Sequence, residues 1–177
     1  TAIAQARRAV PAKTALDILG NLKLSAESGA LTIEATDLHI GIAARQTAAS
    51  VHTPGETTVD AGMFAAFVQS LPDAQLVDLE LSGQNGHSKL NVRCGGIKGS
   101  FGVISAEDYP VLPVADEATR MTIFGALLAM LIDQVQHSAA KDESRPVLAG
   151  ASLTVQGDRL TLATADGFSL SVTDGSL

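Results

Sequence analysis

The sequence points to an α+β protein assembled from a repeated unit, on three observations. The chain has 177 residues, 46% of them hydrophobic but only 3% aromatic, with no Trp and 18% charged. That composition belongs to a folded protein with an aliphatic core, long enough for one domain or for one and part of another. Several short stretches alternate apolar and polar residues while others repeat apolar residues at helical spacing, so strands and helices both occur. Finally, the chain matches itself at an offset of 129 residues.

Ala2 to Val10 is Ala-rich and stops at Pro11, which predicts a helix carrying Arg7 and Arg8. Ile18 to Ser25, Ala30 to Ala35 and Leu38 to Ala44 alternate and are separated by Ser28-Gly29 and Asp37, the pattern of an antiparallel meander. Asp60 is a suitable N-cap for a helix over Ala61 to Leu71, whose Phe64, Phe67, Val68 and Leu71 share one face before Pro72. Leu76 to Leu81, Lys89 to Arg93 and Gly99 to Ile104 are expected as strands, the first two joined by Gly83-Gln84-Asn85-Gly86. Tyr109-Pro110-Val111-Leu112-Pro113 breaks both periodicities and reads as an extended connector, with a domain boundary between Pro113 and Ala118. A short strand, Arg120 to Phe124, then precedes a helix reaching about Ala140, with Phe124, Leu127, Leu128, Leu131, Ile132 and Val135 on one stripe.

The self-match aligns Ile18-Leu19 with Val147-Leu148, Leu24 with Leu153, Leu31-Thr32-Ile33 with Leu160-Thr161-Leu162 and Asp37 with Asp166, without a gap. Five of twenty positions in that window are identical, and the same offset lays the helix around Gln5 on the helix around Gln134. Residues 1–113 then form one unit that lacks its first strand, since Arg120 to Phe124 has no counterpart, and 114–177 form the first half of a second. By that arithmetic about ten residues are expected to precede Thr1 in the complete protein.

Twelve basic against nineteen acidic residues give a net charge of −7, ordinarily a poor balance for a nucleic-acid partner. Residues 1–13, however, hold Arg7, Arg8 and Lys13 and no acid, so a local cationic patch on an anionic body is open to the chain. Enzyme patterns are weak. His39, His52, His87 and His137 are scattered without metal-ligand spacing, and one Cys gives no zinc pattern, so neither metal nor cofactor is expected. Gly95 to Ser100 lacks the ending of a phosphate loop and reads as a turn between strands. Asp37 and Asp166 are related by the repeat; they suit turn capping, or alternatively a pseudo-symmetric pocket in a small α/β enzyme or ligand-binding domain. The longest apolar run, Phe124 to Ile132, is half a membrane span, and lone Cys94 fits a reducing compartment.

Lys13-Thr14-Ala15-Leu16-Asp17-Ile18-Leu19-Gly20-Asn21-Leu22, Thr36-Asp37-Leu38, Glu107-Asp108-Tyr109-Pro110, Arg145-Pro146-Val147-Leu148-Ala149-Gly150 and Ala165-Asp166-Gly167-Phe168 are a more specific signature. Together they resemble the bacterial sliding clamp, the beta subunit of replicative DNA polymerase III, over essentially the whole chain. Asp17 stands where the family usually has Pro, and Ser169 where it usually has Arg. The resemblance implies the DNA-clamp fold, repeated βαβββ units with sheets outside and helices lining a concave inner face. It covers the family's first domain and half of its second. It also implies a non-enzymatic processivity factor in the bacterial cytoplasm, associated with the nucleoid during replication. Three such domains per chain and two chains, head to tail, form a ring around double-stranded DNA, and the partners are the DNA polymerase III catalytic subunit and the clamp loader.

By the same resemblance Lys13 is the first choice for a DNA-facing cation, followed by Arg8 and Arg7 and then by Lys141 and Arg145. On a helical wheel Arg8 faces solvent and Arg7 flanks the apolar side, while charges at helix ends are also ordinary solvated groups favoured by the dipole. The helix over 61–71 has no charged residue, so the lining is expected to be less basic than in relatives. The wall of a partner-peptide pocket is expected from Leu148, Ala165, Gly167, Phe168, Ser169 and Leu170, of which Leu148 and Leu170 serve equally well as strand core.

Overall fold

Residues 2–47, 49–73, 75–83, 88–113, 121–142 and 145–177 are described by a computed structural model. The chain divides into two compact units, Thr1–Pro113 and Val114–Leu177.

The first unit opens with α1 (Ala2–Ala6), which tightens into a 3-10 turn over Arg7–Ala9. The predicted helix is therefore shorter and changes type, because extended Val10 donates its N–H to Arg7 O and Pro11 prevents continuation. A second 3-10 turn, Asp17–Gly20, leads into β1 (Asn21–Glu27), followed by β2 (Ala30–Thr36), β3 (Gly41–Gln46) and β4 (Gly55–Asp60). After α2 (Ala61–Gln69) come β5 (Asp78–Ser82), β6 (Lys89–Cys94) and β7 (Ile97–Ile104). All pairings are antiparallel, in the order β3-β2-β1-β4-β7-β6-β5.

Asp60 caps α2 as expected, its carboxylate accepting from Met63 N at 2.7 Å. Phe64 is fully buried and meets the edge of Phe101 at 5.6 Å, with Phe67 on the same ring at 5.3 Å. Ala2, Ala6, Leu22, Leu24, Ile33, Val59, Leu90 and Val92 complete a core between helices and sheet. The sheet is narrowest at β4–β7, where only Thr58↔Ile104 and Val59↔Val103 pair. There the fully buried Thr58 accepts from Asn21 Nδ2 and donates to Ile104 O, both at 3.0 Å, a side-chain tie across three strands.

Further expectations change in this unit. The strand begun at Ile18 starts at Asn21, because Leu19 N bonds back to Leu16 O and folds Ile18-Leu19 into the 3-10 turn. The strand begun at Leu38 starts at Gly41, because Leu38 has φ of 75° inside a turn capped by Asp37. Strand β4 was not expected; its Thr57-Thr58-Val59 is a β-branched run, but two of its buried residues are polar threonines, so no apolar alternation marks it. Gln84, Asn85, Gly86 and His87, and the boundary residues after Pro113, lie outside the described residues.

In the second unit, α3 (Gly125–Val135) passes into a 3-10 turn at Gln136–Ser138, and α4 (Pro146–Ala149) precedes β8 (Ser152–Gln156), β9 (Arg159–Ala165) and β10 (Leu170–Ser176) in the order β10-β9-β8. Adding 129 to the first unit's numbers reproduces several of these bounds. The turn 7–9 maps onto 136–138, 17–20 onto 146–149 and β2 onto β9, each without a residue's slip. Leu131, Val135, Leu160 and Leu162 form this unit's buried core, and the buried hydroxyl of Thr164 donates to Val135 O, fixing the helix end on the sheet.

The strand expected over Arg120 to Phe124 is not formed over 121–124; Arg120 lies outside the described residues. Phe124 does have extended backbone, φ −64° and ψ 124°, but no neighbour pairs with it among the described residues, and extended chain without a ladder is not a strand.

Candidate nucleic-acid interface and peptide pocket

The two repeat-related aspartates each close a turn. Asp37 Oδ1 accepts from His39 N at 2.9 Å and Ile40 N at 2.7 Å. Asp166 Oδ1 accepts from Phe168 N at 2.8 Å and Ser169 N at 2.6 Å. These donors hold both carboxyl groups below their ordinary value of 3.8, through hydrogen bonding to the charged form. Each carboxylate is thus committed to capping its own turn. Among the described residues no group of three or more His, Cys, Asp and Glu could hold a metal ion.

Arg7, Arg8 and Lys13 are all exposed, and so are Lys141 and Arg145. The distinction drawn between Arg7 and Arg8 on a helical wheel does not survive, because both sit on the 3-10 turn rather than on α1. All five fall in corresponding stretches of the two repeats, from the end of the opening helix to the short turn before the sheet. Arg8 has His137 at its repeat position, where Nε2 is 3.0 Å from Ser171 Oγ. By contrast, the outer face of α2, with Gly62, Met63, Ala66 and Gln69 exposed, carries no charge.

Arg145 is placed differently from the other four. It precedes Pro146 at the start of α4, and its guanidinium lies at the Gly167 turn, 3.6 Å from where a Cβ on Gly167 would stand. It therefore stands beside the expected peptide-pocket residues as well as in the cationic stretch.

A depression of about 210 Å³ is lined by Leu148, Ala165 and Leu170 together with Val147, Gly150 and Ser152. Of the six expected wall residues, those three line it. Gly167, Phe168 and Ser169 lie outside its lining, with Phe168 fully exposed. Ala163 and Thr164 belong to the lining and were not anticipated; Ala163 shares a face of β9 with Ala165, so the period of two would have identified it. Exposed Val147 and Leu170 make an apolar surface that no other part of the unit covers among the described residues.

Residues 1–113 match the family model described as DNA polymerase III beta subunit, N-terminal domain, and residues 122–177 match its central domain. The beta sliding clamp of Streptomyces coelicolor is 30% identical over 171 residues, covering 97% of this chain and 44% of the relative. That of Escherichia coli K12 is 32% identical over 157 residues, covering 89% and 42%. The chain thus spans less than half the length of these two curated relatives. The crystal structure of the DNA polymerase III subunit beta from Pseudomonas aeruginosa superposes with a TM-score of 0.89 at 27% identity, over 99% of this chain and 47% of that one. The beta subunit from Thermotoga maritima gives 0.79 at 26% identity, over 99% and 46%.

Proposed function

We propose that this chain, which belongs to the family of DNA polymerase III beta subunits, works as part of a sliding clamp, a processivity factor that encircles duplex DNA and tethers the replicative polymerase. It has no chemistry of its own to perform. Two complete polypeptides close head to tail into a ring in the bacterial cytoplasm, loaded on DNA by a clamp loader. Residues 1–113 supply the first domain and 114–177 the first half of the second.

The observation that carries the reading is the placement of exposed Arg7, Arg8, Lys13, Lys141 and Arg145 in corresponding stretches of the two repeats. A sliding protein needs cations that attract phosphates without reading bases, since backbone contacts are independent of sequence. The overall net charge of −7 discourages non-specific adhesion, so the few cations on that stretch carry the contact with DNA. The depression of the second unit docks short apolar peptides of the polymerase and the clamp loader: Leu148, Ala165 and Leu170 form its floor, and Gly167, Phe168 and Ser169 its rim. Ser169 brings no guanidinium to that rim; Arg145, reaching the Gly167 turn, is the cation placed to supply one.

The test is primer extension on a singly primed circular template with the full-length polypeptide, its cognate polymerase and clamp loader. Addition of the clamp is expected to lengthen the products of a single binding event. Unchanged product length would overturn the assignment.

A further inference from the structure

The repeat gives each unit a copy of the same groove, and the two copies are finished differently. In the second unit Gly150, Ala165 and Leu170 line an open depression. Their equivalents 129 residues earlier are Asn21, Thr36 and Gly41. There the chain's own connector lies across them. Tyr109, only 4% exposed, donates its hydroxyl to Asn21 O at 3.3 Å. Leu112 fills the space over Gly41, where an added Cβ would stand 2.5 Å from Leu112 Cδ2. Thr36, Gly41 and Pro110–Pro113 line one small depression with Leu38 and Ile40. Pro110 and Pro113 have fixed φ and bias the residues before them to extended backbone, which suits a segment laid along a groove. Leu170 stands where Gly41 does, so at the position that the first unit leaves bare for its connector the second unit carries an exposed apolar side chain.

We propose that residues 109–113 are a built-in strap that occupies the first unit's groove and so confines the docking of external apolar peptides to the second unit. The proposal rests on the reading of the second depression as a peptide site. Gly41 is the notch that seats the strap, and Leu112 is the side chain that fills it.

The experiment uses this chain with methyl-labelled Leu and Ile, and a free peptide copying residues 108–113. In Leu112→Ala, and likewise in Leu112→Ser, the peptide is expected to shift the Leu38 and Ile40 methyls at concentrations that leave those of wild type unshifted. An equal response in wild type and variants, or no response in a folded variant, overturns the strap. Wild type alone keeps the proposal exposed if the variants do not fold. Its Leu112 methyls must show cross-peaks to Gly41, and saturating peptide must leave Leu38 and Ile40 unshifted. Shifts at Leu148 and Leu170 are read separately with a polymerase-derived peptide, so failure of docking in the second unit is distinguishable from failure of the strap.

Discussion

Leu38 and Gly167 occupy the same left-handed position of a repeated turn, with φ of 75° and 92°. Each follows an aspartate whose carboxylate gathers the next two free N–H groups, so the turn demands that conformation whatever residue is present. Leu38 is 60% exposed and gains little burial to offset the clash of its Cβ. Leu38→Gly is therefore expected to stabilise the first unit by about 0.5–1 kcal/mol, and Gly167→Ala to destabilise the second by about 1 kcal/mol. Urea unfolding checks both; a destabilising Leu38→Gly would show that the Leu side chain contributes more than the strain costs.

The capping carboxylates make stability depend on acid. Folding lowers the affinity of Asp37 and Asp166 for protons below that of the unfolded chain, whose value is near 3.8. Their contribution is present above that value and is lost as pH falls through the lower folded values. Asp37→Asn and Asp166→Asn keep an accepting oxygen but cannot titrate. The variants should show a flatter fall of the urea midpoint between about pH 5 and pH 2 than wild type does. An unchanged slope would mean that other carboxylates govern the acid transition.

Phe168 is completely exposed and contributes no packing to the folded unit. Phe168→Ala should leave stability within about 0.5 kcal/mol while weakening the capture of a polymerase-derived peptide by roughly tenfold or more. Calorimetric unfolding and peptide titration separate the two effects. Full peptide affinity in the variant would remove Phe168 from the pocket rim.

Arg8→Glu combined with Lys13→Glu should leave folding intact, since both side chains are exposed. DNA binding by the full-length protein should weaken, and its salt dependence should become shallower by about two in log–log slope, one for each phosphate that is no longer neutralised. A slope identical to wild type would count against both residues.

The repeat was the most legible feature of the sequence because strand bounds follow local alternation, and alternation at offset 129 survives even where identities do not. Asp60 as a cap and Phe64 on the buried face of α2 were legible for the same local reason. Strand β4 was not legible, because two of its three buried residues are threonines, Thr57 and Thr58, beside Val59, and the place of Thr58 is set by Asn21 and Ile104 far along the chain. Tyr109 to Pro113 read correctly as a connector, yet its seat over Gly41 joins residues far apart in the chain, which no local pattern records. The lining of the second unit's depression was half legible: Leu148, Ala165 and Leu170 were expected there, whereas Gly150 and Thr164 enter through the course of the backbone rather than through side-chain type.

On the proposed function the complete protein holds DNA by topology. The full-length polypeptide, loaded on a nicked circular duplex, is expected to remain bound through gel filtration at moderate salt and to be lost once the circle is cut at one site. Retention on the linear product with both ends free would contradict an encircling clamp and leave only direct adhesion to the phosphates.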